Sequence, residues 1–181
     1  KSADPEEVKG RIALGLSKFR SARMRQNIVH AGGLTIIDDC YNANPDSMSA
    51  ALSVLRTYPA RGKRIAVLGD MLELGDYSEQ AHRSLGEEAA RSADHILLFG
   101  NASEHIMLGA IQSGKPTSAI SHFESREELA KELTELAGEG DVILIKASRG
   151  MKLETVRDML LDHLGVSDPG VQDDKSSSGG A

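Results

Sequence analysis

Short aliphatic runs alternate with longer amphipathic stretches along most of this chain. Lys63 to Leu68, His95 to Phe99, Thr117 to Ile120 and Val142 to Ile145 have the length and composition of strands. Ser78 to Arg91, Ala102 to Gln112, Arg126 to Ala137 and Met151 to Leu164 repeat apolar residues at helical spacing. Ala81, Leu85 and Ala89 fall on one such stripe, Leu129, Leu133 and Leu136 on another, and Leu153, Val156, Leu160 and Leu164 on a third. A strand that is apolar on both faces needs cover on both. Alternation with helices therefore predicts βαβ units: an α/β fold with a mostly parallel sheet and helices on both faces.

Local signals place further boundaries. Asn44 before Pro45 reads as a helix start, with Met48, Leu52 and Leu55 following at helical spacing. Asn101 with Glu104, and Ser125 with Glu128, fit the pattern of a polar cap followed by an acid. The opening differs from the rest. Glu6 to Phe19 predicts an amphipathic helix, Arg20 to His30 an extended strand, Ala31 to Gly33 a turn, and Leu34 to Ile37 a strand ending in Asp38-Asp39. A helix and a hairpin bury little surface alone, so residues 1–38 are expected to be the end of a larger unit and 39–166 a domain. Residues 167–181 have no apolar periodicity and are expected to be a disordered tail.

Composition narrows the function. The chain has 181 residues, 40% of them hydrophobic and only 3% aromatic, so its core must be aliphatic. A net charge of -6 argues against a nucleic-acid partner. No apolar run has bilayer length, so no membrane span is expected. The single cysteine, Cys40, makes no internal disulfide, consistent with a reducing, cytoplasmic compartment. The histidines form neither HxxxH nor HExxH, and no metal site is expected from this chain alone. Neither GxGxxG nor GxxxxGK[ST] is present, so nothing here is built to grip a triphosphate.

In an open parallel sheet, ligands bind beyond the carboxyl ends of the strands. That rule selects Asp38, Asp39, Tyr41, Asn42 and Asn44 after one strand, Gly69, Asp70 and Glu73 after the next, Gly100 and Asn101 after a third, and Lys146, Ser148 and Arg149 after the last. Asn44 reads as a cap, leaving Asn42 as a surplus carboxamide whose donor and acceptor suit the edge of a purine. Asp70 either accepts ribose hydroxyls or closes a turn. Glu73 suits a salt bridge or a cap, while Met71 and Leu74 suit packing. Lys146, Ser148 and Arg149 either form an anion site or a solvated turn, with Lys146 paired to Asp38 or Asp39. His82, one position from inward Ala81, is expected on the flank between sheet and solvent, either supporting or facing a ligand site or as a plain surface residue. Asp38, Asp39, Asp70 and Lys146 also permit a receiver-like phosphoacceptor site. The 76 positions between Asp70 and Lys146 are long for that fold.

Three ordered segments carry a more specific resemblance. Asp38-Asp39-Cys40-Tyr41-Asn42-Ala43-Asn44-Pro45-Asp46-Ser47-Met48 is the first. Val67 to Gly75 (VLGDMLELG), followed by Ser78 and His82, is the second. Lys146-Ala147-Ser148-Arg149-Gly150-Met151 with Glu154 is the third. Together with Arg23-Met24 before Gly33, they resemble the Mur ligases, although Ala147 stands where that family usually has glycine. The resemblance implies the Rossmann-like C-terminal domain of that family over 39–166 and a remnant of its central domain over 1–38. It implies part of a cytoplasmic bacterial enzyme of peptidoglycan precursor synthesis that uses ATP and Mg²⁺ to join D-alanyl-D-alanine to UDP-N-acetylmuramoyl-tripeptide through an acyl phosphate. The P-loop, the metal ligands and a carbamylated lysine would belong to the central domain, so this chain alone is expected to be an inactive monomer.

On that resemblance Asn44 faces adenine, Asn42 supports the same loop and Asp70 holds ribose. Lys146, Ser148 and Arg149, with His82, lie toward the acyl acceptor and its transferring group. A noncatalytic Rossmann-like binding or regulatory module and a sister Mur ligase adding another amino acid are the alternatives.

Overall fold

The computed structural model describes residues 27–166. The expected helix over Glu6–Phe19, the Arg23-Met24 segment and the expected tail over 167–181 lie outside the described residues. Six strands form one sheet: β1 (Asn27–Ala31), β2 (Leu34–Asp38), β3 (Arg64–Gly69), β4 (His95–Phe99), β5 (Ile120–Phe123) and β6 (Val142–Lys146). Their order is β1-β2-β6-β3-β4-β5, and only the β1–β2 pair is antiparallel. Among the described residues five helices accompany them: α1 (Pro45–Thr57), α2 (Ser78–Ser92), α3 (Ser103–Gln112) and α4 (Arg126–Leu136) connect successive strands from β2 to β6, and α5 (Glu154–His163) follows β6.

Strand alternation divides the core into two layers. Ala66, Leu68, Ile96, Leu98, Val142 and Leu144 point to one face, where Met48 and Leu52 of α1, Leu85 of α2 and Ile106 of α3 cover them. Ile65, Val67, Leu97, Ile143 and Ile145 point to the other, against Leu129 and Leu133 of α4 and Val156 and Leu160 of α5. Burial on both faces is why the strands read as unbroken apolar runs.

Most expected elements fall within a residue or two of these bounds. Thr117–Ala119 is instead a 3-10 turn opened by Pro116, and the strand follows at Ile120–Phe123. The last helix starts at Glu154, because Arg149–Met151 closes as a 3-10 turn and Lys152 takes a left-handed φ of 53°. Asn101 caps nothing with its side chain. The described part of the expected 1–38 segment joins the sheet, since β2 pairs with β6 and β1 pairs with β2.

On the first face, α2 and α3 approach to backbone contact. A Cβ at Gly86 would lie 2.0 Å from the Ile106 carbonyl oxygen, and one at Gly109 would lie 2.0 Å from that of Arg83. Glycine at both crossings removes the side chains that would hold the helices apart. Gly86→Ala is therefore expected to cost about 3 kcal/mol by overpacking, against about 0.5 kcal/mol for Ser84→Ala on the exposed side of the same helix. Urea unfolding midpoints of the two variants make the comparison, and equal losses would refute the backbone contact.

Candidate functional site

The loops after β2 and β3 lead to helices on one face, and the loop after β6 leads to α5 on the other. The three loops part between adjacent strands and leave a crevice at the carboxyl edge. It forms a cavity of about 300 Å³ lined by Tyr41, Asn42, Leu72, Glu73, Ser148, Arg149 and Gly150.

Beneath the cavity, strand alternation continues past the strand ends and sorts the charges. Lys146 shares a face with Val142 and Leu144, the α1 side of the sheet. Only 1% exposed, it donates from Nζ to Asp39 Oδ2 at 2.8 Å and to the Asn42 carbonyl at 2.9 Å. Asp38, one residue earlier than Asp39, points to the opposite face and pairs with Arg157 of α5. Burial opposes the charge of Arg157, but hydrogen bonding to Asp158 and the attraction of Asp38 outweigh it and hold its pKa above the ordinary guanidinium value. Neighbouring Cys40 is buried beside Asp38, and both conditions push its thiol far upward, so it is no nucleophile.

Asp70 also lies on the α1 side. Its Oδ1 accepts from the Ser103 amide at 2.8 Å and its Oδ2 from the Ala102 amide at 3.2 Å. It thus caps α3 from 33 positions upstream, at 7% exposure. Both carboxylate oxygens of Asp70 are therefore engaged at the start of α3 rather than aimed into the cavity. The β3 loop is held at its next two amides as well. Met71 N–H donates to His82 Nε2 at 3.0 Å, and Leu72 N–H donates to Ser148 Oγ at 2.9 Å. The Ser148 amide returns a bond of 3.0 Å to the Asp70 carbonyl.

His82 corrects the surface reading and matches the expected supporting one. It is 0% exposed, and its Nδ1 donates to the Ser78 carbonyl at 2.7 Å while Nε2 accepts from Met71. Buried and bonded at both ring nitrogens, the imidazole braces the β3 loop. Lys146 is likewise committed beneath the cavity, and at its wall the Ser148 hydroxyl is taken up by the Leu72 amide, so the solvated-turn alternative fails for Lys146 in its solvation but holds in its pairing. Ala147 is accommodated by Gly69: a Cβ on that glycine would sit 2.8 Å from the Ala147 methyl.

The side chains facing the cavity differ from those buried below it. The Arg149 guanidinium stands 5.5 Å from the centroid of the Tyr41 ring. Asn42 uses its carbonyl oxygen on the Ala43 amide at 2.9 Å, leaving its NH₂ without a partner among the described residues. Asn44 closes a capping box on α1, accepting the Ser47 amide at 2.8 Å while its own amide donates to Ser47 Oγ at 3.1 Å. Its NH₂ is also unengaged among the described residues. Glu73 adopts a left-handed φ of 65°, a strained conformation for a residue with a side chain. Among the described residues, no group of three or more His, Cys, Asp or Glu is placed to hold a metal ion. The two acids after β2 sit on opposite faces, which removes the geometry a receiver site needs.

A parallel sheet with its polar loops gathered at a switch point is a ligand-binding α/β domain. Residues 23–149 match the family model of the Mur ligase glutamate ligase domain, and the chain belongs to that family. It is 39% identical over 146 residues to the UDP-N-acetylmuramoyl-tripeptide--D-alanyl-D-alanine ligase of Bacillus subtilis, covering 80% of this chain and 32% of that protein. Its identity to the Escherichia coli ligase of the same name is 40% over 124 residues, 67% of this chain and 25% of that protein. The MurF ligase of Thermotoga maritima, solved in complex with ADP, superposes with a TM-score of 0.71 at 29% identity, covering 87% of this chain and 36% of that one. The chain thus spans about a third of the length of such relatives. No helix among the described residues is long and apolar enough to cross a membrane.

Buried charge makes the base of this site a test of its architecture. Lys146→Met leaves Asp39 buried without its partner and is expected to cost about 3–5 kcal/mol, whereas Lys146→Met combined with Asp39→Leu recovers most of the loss. Denaturant titration of the single and double variants reads the difference; a double variant no better than the single would show that the pair does not act as a unit.

Proposed function

We propose that this chain is the C-terminal domain of an ATP-dependent ligase that joins D-alanyl-D-alanine to UDP-N-acetylmuramoyl-tripeptide in the bacterial cytoplasm. The observation that carries the reading is the convergence of its three signature loops on one cavity. The named relatives support the same activity, and the ADP in the Thermotoga structure supports nucleotide use. In this reading the upstream N-terminal and central domains bind the triphosphate and form the acyl phosphate on the tripeptide carboxylate. Mg²⁺ would neutralise phosphoryl charge there, and no ligand for it is assigned to this chain.

This domain supplies recognition and closure. Asn44 presents its NH₂ at the α1 end of the site, where an adenine ring nitrogen is a suitable acceptor, and Asn42 does so from inside the cavity. Arg149 meets the carboxylate of the incoming dipeptide. Lys146, Ser148 and His82 act as positioning residues: they fix the loops that carry Asn42, Leu72 and Glu73. Asp70 fits ribose poorly, since both its oxygens already accept backbone amides. We place it with the braces. Closure of the domain over the acyl phosphate excludes water, which would otherwise hydrolyse it.

Two experiments test this. The full-length gene product is expected to release phosphate when given UDP-linked tripeptide, D-alanyl-D-alanine, ATP and Mg²⁺, while this chain alone does not; an inactive full-length protein would favour a binding module. Capping and nucleotide contact are then separated at one residue. Aspartate caps a helix as well as asparagine but has no NH₂ to donate. Asn44→Asp should leave the melting temperature unchanged and raise KM for ATP about tenfold, and an unchanged KM would remove Asn44 from the nucleotide site.

A further inference from the structure

The mouth of the cavity holds one anionic and one cationic side chain, and they do not pair. Glu73 and Arg149 both line it, yet no ion pair joins them. Glu73 has no hydrogen-bond or ion-pair partner among the described residues, and the guanidinium of Arg149 is engaged only with the Tyr41 ring. Elsewhere around the site Lys146, Asp39, Asp38, Arg157 and Asp70 all have partners at hydrogen-bonding distance.

Glu73 is also held where it is at a cost. Its φ of 65° is a conformation glycine adopts readily and glutamate does not. The preceding amides are fastened to His82 and Ser148, which belong to different elements, so the strained turn cannot relax by sliding. Beside the polar Asn42 and Ser148, the lining offers apolar surface from the ring of Tyr41 and from Leu72, which is 44% exposed and packs beside Gly150. A negative group, a positive group and some apolar surface in one cavity complement a short zwitterion with small apolar substituents. Neither charge alone would select one.

We propose that Glu73 is a specificity-determining residue that holds the ammonium end of an unmodified dipeptide while Arg149 holds its carboxylate. The inference rests on the ligase reading and adds to it the polarity of the bound acceptor. The amine end lies on the β3-loop side of the cavity and the carboxylate on the β6-loop side. The dipeptide is read at both termini, so an acceptor lacking either charge leaves one side chain unpaired when the domain closes.

The test uses the full-length ligase, following phosphate release with D-alanyl-D-alanine and inhibition by its N-acetyl and C-terminal amide derivatives. Glu73→Gln should raise KM for the dipeptide about tenfold, leave KM for ATP unchanged, and abolish the preference for the free amine over the N-acetyl form. Arg149→Met should abolish the preference for the free carboxylate over the amide and leave the N-terminal preference intact. An active enzyme in which Glu73→Gln shifts KM for ATP instead, or shifts neither constant, overturns the inference while leaving the ligase reading standing. A full-length protein that does not turn over D-alanyl-D-alanine at all overturns the ligase reading, and this inference with it. Glu73→Gly serves as the control for strain: it relieves the backbone, so dipeptide affinity that survives it would show that the carboxylate is not the contact.

Discussion

The buried ammonium of Lys146 fixes the position of everything else at this edge of the sheet. A lysine taken out of water costs several kcal/mol, a penalty offset only where the geometry of its partners is good. Here the partners are the Asp39 carboxylate and the Asn42 carbonyl, both in the segment that leaves β2. That segment is short, runs straight into the capping box of α1, and buries only Cys40 and Ala43 among its apolar residues. The ammonium, together with the Asp39 amide that donates to the Ile145 carbonyl, seats it on the adjacent strand. If the pair opened, Asn42 and Tyr41 would lose their register against Arg149 at the same time.

The other braces follow one geometric rule. Side chains alternate across a strand, and the alternation persists for a residue or two beyond the last ladder bond. Asp38 and Asp39 therefore diverge to opposite faces and find different cations, Arg157 and Lys146. Asp70 points to the same face as Lys146 and reaches the start of α3. His82 joins α2 to the β3 loop, and Ser148 joins the β6 loop to the same segment. Each loop is tied to an element other than the ones it connects, which makes the rim a single unit.

The sequence made the architecture readable because both faces of the sheet are covered, so strands and helices differ plainly in length and periodicity. The strand-tip rule also picked out the right loops. What it did not settle was which tip residues point down and which point out. Lys146 follows Val142 and Leu144 in register, so its inward direction was implicit in the alternation. Its partner lies 107 positions away in sequence, a proximity that only the β2–β6 pairing creates. Asn101 looked like the cap of α3 on local pattern, but the Asp70 carboxylate reaches those amides from another strand. The histidine at position 82 sits beside inward Ala81 on a helical wheel, yet the β3 loop folds over it and buries it completely. Long-range placement overrode local pattern in all three.

This sorting leaves a consistent division between charges that hold the fold and charges available for chemistry. Below the rim, Lys146, Asp39, Asp38 and Asp70 are buried and paired, since an unpaired charge there would be costly. At the rim, Glu73, Arg149 and the two asparagine NH₂ groups meet water, which satisfies them cheaply while the site is open. In the proposed ligase, closure would take that water away. Each exposed group would then need a ligand partner or pay its own desolvation. A rigid base with solvated groups at its mouth thus converts domain closure into a check on the ligand: the correct acceptor and nucleotide satisfy the rim, and an incomplete one leaves it costly to close.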